Sequence, residues 1–282
     1  AVAAWSLASD PNADYRDYME DGHRAVDPWL QQGGCTWAFF GVYDGHGGKS
    51  EMEYCEARLH DVVLGEVEQA LGPGGGGDVG PALAGAFRKI DSQLAMLGAW
   101  GSGCTATVAL LRRAPAGDAT LHVANVGDSR AVLVELRAGG GARRVSTDHH
   151  AGDPDECKRI QEEGGFVRYG RVAGQLIVSR SLGDHHLKSA GVSCIPSVHT
   201  ARVGADDAAG HALVIASDGL WDALSDEDAG DVVRSCAAAA GAQGGGPEMV
   251  VAALQETSAR SLVDLAKDRG SRDNILVVVV FF

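Results

Sequence analysis

Asp44, Gly45 and His46 place a carboxylate, an unshielded backbone carbonyl and an imidazole within three consecutive residues. The apolar run 39–43 before them predicts a buried strand, because its aromatic and β-branched residues stop at a cluster of glycines. Glycine lets a ligand approach the backbone closely. Carboxylate and carbonyl oxygens are the ligands that a hard divalent cation prefers. The stretch therefore predicts a metal site at the end of a buried strand.

The segment Gly48-Lys49-Ser50 offers a competing interpretation as the end of a phosphate-binding P-loop. That motif requires a glycine five residues before Gly48, where this sequence has Tyr43. Asp44 would also repel a bound phosphate unless a cation lay between them. The sequence thus excludes a P-loop.

Two further aspartates adjoin apolar strands. The run 213–216 leads into Asp218, and Asp273 precedes the closing run 275–282, which predicts a central buried strand. A lone carboxylate at a buried strand end is costly to desolvate, and a shared cation removes that cost. Oxygen ligation without a Cys/His set favours Mg²⁺ or Mn²⁺ over zinc or copper.

Several other candidates allow two interpretations. On a strand, Glu20 and Asp21 would point to opposite faces, so that one could touch a metal directly and the other through water; alternatively, they form a solvated turn. Asp128 could be a ligand, but an aspartate beside a glycine is more often a turn residue. The histidine pairs 149–150 and 185–186 could suggest zinc. Because neighbours on an extended chain point apart, we expect solvated or hydrogen-bonded histidines instead.

The elements that must position these residues alternate between helix and strand. Apolar periodicity predicts helices at 50–71, 81–97, 154–163 and 247–266, and strands at 104–111, 120–125 and 131–136. Residues 126–129 predict a tight hairpin between the last two strands. Glycine-rich loops are predicted around 72–77 and 241–246. The charged, irregular segment at about 148–192 predicts a flap over the site.

Composition excludes several classes of protein. The formal net charge is −14, from 38 acidic and 24 basic residues, which argues against nucleic acid as a partner. The 6 scattered cysteines contain no CxxC pair and predict free thiols in a reducing, intracellular compartment. No apolar run is long enough to span a bilayer. Because the chain begins at Ala1, we expect any targeting segment to be missing from it.

Seven segments together resemble the metal-dependent Ser/Thr protein phosphatases of the PP2C (PPM) type. In the order of that family they are Arg16-x-x-Met19-Glu20-Asp21, Asp44-Gly45-His46-Gly47-Gly48, Gly103-Cys104-Thr105-Ala106, Asn125-Val126-Gly127-Asp128-Ser129-Arg130, Ser179-Arg180-x-Leu182-Gly183-Asp184, Ser217-Asp218-Gly219-Leu220-Trp221-Asp222 and Gly270-Ser271-Arg272-Asp273-Asn274. They cover roughly residues 14–282. The pair His150-Ala151 departs from the family's more usual proline-containing sequence.

The resemblance implies an α+β fold, a four-layer α-β-β-α sandwich of two mainly antiparallel sheets flanked by helices, in one domain over 1–282. It also implies a set of site residues. Asp44 would bridge two ions, with Glu20, Asp218, Asp273 and the Gly45 carbonyl as further direct ligands, Asp21 acting mainly through coordinated water, and Asp218 with Asp148 holding a weaker third ion. Arg16 would clamp the substrate phosphate with its planar charged fork, and His46 would be the general acid.

The implied reaction is hydrolysis of phosphoserine or phosphothreonine by in-line attack of a hydroxide that bridges two Mg²⁺ or Mn²⁺ ions. We expect a monomer that acts on phosphoproteins. A catalytically weak binding module of the same fold is the alternative; it would be expected to lose a metal ligand or the clamp, and all the main ones are present. An unrelated Mg²⁺-dependent nuclease or phosphodiesterase should show a basic groove, which an acidic chain lacks.

Overall fold

A computed structural model describes residues 1–72, 77–98, 100–203, 210–242 and 246–282. In these ranges the strands are β1 (Ala4–Asp10), β2 (Asp21–Gln32), β3 (Cys35–His46), β4 (Gly103–Cys104), β5 (Ala106–Arg113), β6 (Ala119–Val126), β7 (Arg130–Glu135), β8 (Ala142–Arg144), β9 (Val167–Arg168), β10 (Arg171–Val172), β11 (Leu182–Gly183), β12 (Ser197–Val203), β13 (His211–Ala216) and β14 (Ile275–Phe281). The helices are α1 (Ser50–Leu71), α2 (Val79–Leu97), α3 (Pro154–Glu162), α4 (His185–Lys188), α5 (Asp218–Trp221), α6 (Asp226–Ala242) and α7 (Pro247–Asp268).

The strands form two antiparallel sheets. The smaller sheet has the order β1-β14-β13-β7-β8, so that β14 is an inner strand, as its continuous apolar sequence predicts. The larger has the order β11-β4-β3-β5-β6-β12, with β2 paired to β3. In the β2–β3 register Asp21 lies opposite Asp44. The short pair β9–β10 forms a separate hairpin in the flap.

Side-chain alternation along the strands separates the molecule into layers. In β3, Phe39 packs under helices α1 and α2, whereas its neighbour Phe40 points between the two sheets. On the other side of the molecule, Val277 of β14 packs against α6 and α7, whereas Val278 faces the inter-sheet core. The four-layer α-β-β-α sandwich is therefore confirmed.

The helices follow their predicted positions closely. Helix α1 has the predicted bounds and buries Met52 and Leu59 along one face. Helix α2 begins two residues before the predicted Pro81, because the carboxylate of Asp78 caps it by accepting a hydrogen bond from the Gly80 N–H at 2.9 Å. The predicted glycine-rich loops fall mainly on 73–76 and 243–245, outside the described residues. No helix in the described ranges is long and apolar enough to cross a membrane.

The prediction of a hairpin at 126–129 is wrong. Strand β6 pairs with β5 and β12 in the larger sheet, whereas β7 pairs with β13 and β8 in the smaller one. The buried amide of Asn125 donates hydrogen bonds to the carbonyls of Gly127 at 3.0 Å and Thr147 at 2.8 Å. These bonds turn the chain out of its sheet, so the segment crosses between the two sheets and carries Asp128 with it.

The flap segment at 148–192 has an apolar cluster of its own and a buried charged anchor. The cluster includes Ile160 and Leu187. The anchor is Glu156 on α3, which accepts hydrogen bonds from Ser179 Oγ at 2.6 Å, Arg180 Nε at 3.0 Å and Arg159 Nη2 at 2.9 Å. Burial alone would raise the pKa of Glu156, but these hydrogen bonds outweigh it and hold the pKa well below its usual range.

We expect Glu156→Ala to lower the free energy of unfolding at pH 7 by about 3 kcal/mol, because it leaves the partly buried guanidinium of Arg180 without its carboxylate and removes one of the two carboxylates that pair with Arg159. Since the folded pKa is depressed, this stabilisation is complete above the unfolded value of 4.5 and is lost as the pH falls through the folded value. Urea denaturation at pH 7 and at acid pH measures both effects.

The matched control is Glu162→Ala on the same helix, where an exposed carboxylate makes a pair of 3.8 Å with Lys158. It should change the unfolding free energy by less than about 1 kcal/mol. Equal losses in the two variants would show that Glu156 does not anchor the flap.

Candidate active site

A cavity of about 390 Å³ opens where the ends of both sheets meet the flap. Its lining is mostly polar and contains acidic, basic and imidazole side chains. The lining residues are Arg16, Glu20, Asp44, Gly45, His46, Gly47, Thr105, Asp128, His150, Arg171, Leu176, Ile177, Val178, Asp218, Asp222, Asp273 and Asn274. Most of the residues predicted for the site therefore face one space.

Three aspartates from distant parts of the chain meet in this cavity. Asp44 lies near the end of β3, Asp128 in the crossing between β6 and β7, and Asp218 at the first position of α5. Each offers a carboxylate oxygen, and the three oxygens lie within 4.8 Å of one another. Such an all-oxygen set fits a hard divalent cation.

The electrostatics of the cluster also fit a cation. Burial raises the pKa of Asp44 well above its usual range, and the charges of Asp21, Asp218, Asp128 and Asp273 raise it further. Burial, followed by the charges of Asp128 and Asp273, raises the pKa of Asp218 to about 8. Carboxylates that repel one another in a buried site are stabilised when a cation neutralises them.

Asp21 lies behind the cavity and does not line it. It is 7% exposed and accepts a hydrogen bond of 2.6 Å from Ser217 Oγ, which itself accepts one of 3.1 Å from the Leu276 N–H. Burial raises the pKa of Asp21 to about 7. Its position behind Asp44 is compatible with the predicted indirect role through coordinated water, which stays a prediction.

Glu20 and Gly45 are held together by backbone contacts. The Glu20 carbonyl accepts a hydrogen bond of 3.0 Å from the Gly45 N–H, and Glu20 Oε1 accepts one of 3.0 Å from the Gly48 N–H. A Cβ atom on Gly45 would lie 2.9 Å from the Glu20 carbonyl oxygen, so this approach requires glycine. These contacts hold Glu20 and Gly45 in the wall of the cavity, beside the acidic cluster.

His46 is bound to a carboxylate that sequence reasoning did not assign. Its Nε2 lies 2.7 Å from Asp184 Oδ2, which also accepts a hydrogen bond of 2.6 Å from Ser181 Oγ. Burial alone lowers the pKa of His46, but the hydrogen bond and charge of Asp184 outweigh it and raise the pKa above its usual value. The arrangement favours an imidazolium, the form a general acid needs.

Arg16 lies at the rim of the cavity and pairs with Asp273. Its side chain is 45% exposed, so that a ligand entering the cavity can reach it. Its guanidinium carries five N–H donors, more than one carboxylate can accept. The predicted phosphate clamp and the predicted ligand Asp273 are therefore neighbours.

The structure does not bring Asp148, the predicted partner of Asp218 at a third ion, into the acidic cluster of Asp44, Asp128 and Asp218. Asp148 Oδ2 instead accepts hydrogen bonds from Arg130 Nε at 3.0 Å and Arg144 Nη1 at 3.2 Å. Two guanidinium groups already neutralise this carboxylate. Asp128, and not Asp148, lies beside Asp218 in this cluster.

Sequence reasoning also missed Asp222 and His150, which line the cavity. A signal for Asp128 was present, because it follows the apolar strand β6 just as Asp218 follows β13. The expectation of a hairpin turn concealed it. Asp222 lies one helical turn after Asp218, so the spacing i, i+4 was the available signal.

The chain is similar to known proteins over most of its length. A family model described as "Protein phosphatase 2C" matches residues 5–275. "Probable protein phosphatase 2C 8" of Oryza sativa subsp. japonica is 38% identical over 86% of this chain and 62% of its own length. "Protein phosphatase 2C homolog 1" of Saccharomyces cerevisiae is 32% identical over 98% of this chain and 92% of its own length. The chain thus spans less than two thirds of the rice relative and most of the yeast one.

A solved structure shows the same fold. The serine-threonine phosphatase 2C from Toxoplasma gondii superposes with a TM-score of 0.72 and covers 99% of this chain and 94% of its own, at 23% identity. At that identity the likeness establishes the fold alone. The family model and the yeast relative, each matched over nearly the whole sequence, show that the chain belongs to the protein phosphatase 2C family.

Proposed function

We propose that the chain is a metal-dependent protein phosphatase that hydrolyses phosphoserine and phosphothreonine in proteins. The observation that carries this proposal is the meeting of Asp44, Asp128 and Asp218 in one cavity that Arg16 and His46 also line. The cluster supplies oxygen ligands for cations, and the two basic side chains supply the groups that a phosphate ester requires.

Several residues would hold the ions. Asp44 would lie between two ions, and the further ligands would be Glu20, Asp218, Asp273 and the Gly45 carbonyl. Asp21 would act through water, and Asp128 with Asp218 would hold a weaker third ion. When bound, paired Mg²⁺ or Mn²⁺ ions lower the pKa of a water molecule and stabilise charge on phosphoryl oxygens. The number of ions and the choice of Mg²⁺ or Mn²⁺ are part of the proposal.

The remaining residues act on the substrate itself. Arg16 orients the phosphate through its guanidinium N–H groups, whose planar fork matches two phosphate oxygens. His46 donates a proton to the departing serine or threonine oxygen, and Asp184 holds the imidazole for that transfer. Arg171 of the flap adds a positive charge to the wall of the cavity.

A binding module without activity, the alternative from the sequence, has no observation in its favour. Apart from Asp148, the predicted direct ligands, the clamp and the general acid all line the cavity.

We expect hydrolysis of p-nitrophenyl phosphate to require Mn²⁺ or Mg²⁺ and to fall by at least about 10³-fold in EDTA, because the ions supply several kcal/mol of transition-state stabilisation. EDTA saturated with Mn²⁺ beforehand is the matched control and should leave the rate unchanged. Turnover that persists without metal would contradict the proposal. Metal binding without turnover of phosphopeptides would favour the binding module.

A further inference from the structure

We propose that His150 Nε2 is a ligand of the third ion, beside Asp128, and makes that position prefer Mn²⁺ to Mg²⁺. The inference rests on the ion-binding cavity proposed above.

The imidazole is placed for ligation. His150 lines the cavity, and its Nε2 lies 3.3 Å from Asp128 Oδ2. Two ligand atoms in neighbouring positions on one ion, each at about 2.1 Å from it, lie about 3 Å apart. The two side chains can therefore bind one ion with only a small movement. Asp218 offers a carboxylate oxygen within 4.8 Å of one of Asp128, and Asp222 lines the same cavity.

A second carboxylate lies on the other side of the ring. Asp153 Oδ2 lies 3.7 Å from His150 Nδ1 and accepts a hydrogen bond of 3.2 Å from the His150 backbone N–H. Histidines that ligate metals almost always have a carboxylate, carbonyl or water at the second ring nitrogen, which fixes the ring orientation. The neighbouring His149 is turned into the interior and is 1% exposed, so only one histidine of the pair faces the cavity.

The backbone around His150 is fixed to the wall of the cavity. The Ala151 N–H donates a hydrogen bond of 2.8 Å to the Ile177 carbonyl, and the His149 carbonyl accepts one of 2.9 Å from the Ser179 N–H. Residue 150 thus forms a bridge with Val178, which itself lines the cavity. Such pairing on both sides holds the imidazole at the acidic cluster.

The ligand type then determines the ion. Mg²⁺ requires oxygen ligands in near-ideal octahedral geometry. Mn²⁺ also binds well to carboxylates but, as a first-row transition ion, accepts a nitrogen ligand among them more readily than Mg²⁺ does. The ratio of Mn²⁺ affinity to Mg²⁺ affinity is therefore higher for a site with one nitrogen and several carboxylate oxygens than for an all-carboxylate site of the same charge. The competing role for His150 is that of an imidazolium counter-ion to Asp128. The two roles exclude each other, because a protonated imidazole cannot bind a metal ion.

The test is electron spin-echo envelope modulation spectroscopy of the full chain loaded with Mn²⁺. We expect nitrogen hyperfine coupling from a directly bound imidazole, lost in His150→Gln and kept in His199→Gln, a surface control whose histidine lies outside the cavity lining. Calorimetric titration should show the weakest Mn²⁺ Kd raised by about tenfold or more in His150→Gln, with the Mg²⁺ Kd changed by less than about threefold.

A second variant, His150→Lys, keeps a positive charge beside Asp128 but has no imidazole. Loss of Mn²⁺ affinity in this variant supports ligation, whereas retained affinity shows a counter-ion and overturns the proposal. Because His46 also lines the cavity, coupling that disappears in His46→Gln and persists in His150→Gln overturns it as well. The spectrum of the unmodified chain tests the proposal even if the variants do not fold. Bound Mn²⁺ without nitrogen coupling in that spectrum refutes the role of His150 and leaves the phosphatase proposal standing. Failure to bind Mn²⁺ at all refutes both.

Discussion

Asp44→Asn should abolish metal-dependent hydrolysis, with kcat falling by at least about 10³-fold, and should at the same time stabilise the metal-free fold. The loss follows because Asp44 is the carboxylate proposed to contact both ions, which supply several kcal/mol of transition-state stabilisation. The stabilisation follows because burial and four neighbouring aspartates raise the pKa of Asp44 well above its usual range. At neutral pH, folding either takes up a proton at Asp44 or buries its charge, and both cost free energy. A neutral amide removes this cost, which is on the order of 2 kcal/mol.

Steady-state assays and thermal denaturation with and without Mn²⁺ measure the two effects. The unmodified chain should gain stability when Mn²⁺ is added, since the ion binds only the folded state, whereas the variant should gain little. Asp155→Asn, an exposed position on α3, is the matched control and should change neither quantity. A variant at Asp44 that keeps its metal-dependent rate within about tenfold would remove this residue from the proposed metal centre.

His46→Gln should slow the hydrolysis of phosphoserine peptides by roughly 10²–10³-fold, but that of p-nitrophenyl phosphate by less than about tenfold. A serine alkoxide is a poor leaving group that needs a proton as the ester bond breaks. Nitrophenolate leaves without one, so the general acid contributes little there. The ratio of the two rates therefore separates proton donation by His46 from a general loss of folding or metal binding, which would lower both rates equally.

Asp184→Asn tests how His46 is tuned. Asp184 raises the pKa of His46, so the acidic form persists to higher pH than it would alone. Removing the charge lowers that pKa, and the alkaline limb of the peptide rate profile should move to lower pH. An unmoved limb together with a normal p-nitrophenyl phosphate rate would show that Asp184 does not govern the proton donor.

Much of the fold was predictable because burial imposes a local pattern. The alternation that sends Phe39 towards the helices and Phe40 between the sheets is a property of neighbouring residues on one strand. The helical stripe of α1 is likewise local, and its bounds match the prediction. The hairpin at 126–129 failed for the opposite reason, since whether two consecutive strands share a sheet depends on partners far away in the chain.

The residues of the candidate site also differ in whether their positions follow from a local pattern or from contacts between distant segments. Asp44, Asp218 and Asp273 were found because a carboxylate at the end of an apolar strand has a local explanation, the cost of burying an unpaired charge. Asp128 carries the same signal, since it follows the apolar strand β6, but nothing local shows that Asp148 stays outside the cluster. Arg130 and Arg144 neutralise Asp148, and this pairing exists only because β7 and β8 lie side by side in the smaller sheet.

The amino-acid sequence alone determined the alternation of elements and the acidic strand ends, and it led to the expectation of an oxygen-ligated metal, since each depends on neighbouring residues and on the chemistry of oxygen ligands. Only the tertiary structure decided that Asp128 joins the cluster, that Asp184 pairs with His46 and that His150 rather than His149 faces the cavity. These are contacts between segments distant in sequence, and strand pairing and the crossing between sheets fix them.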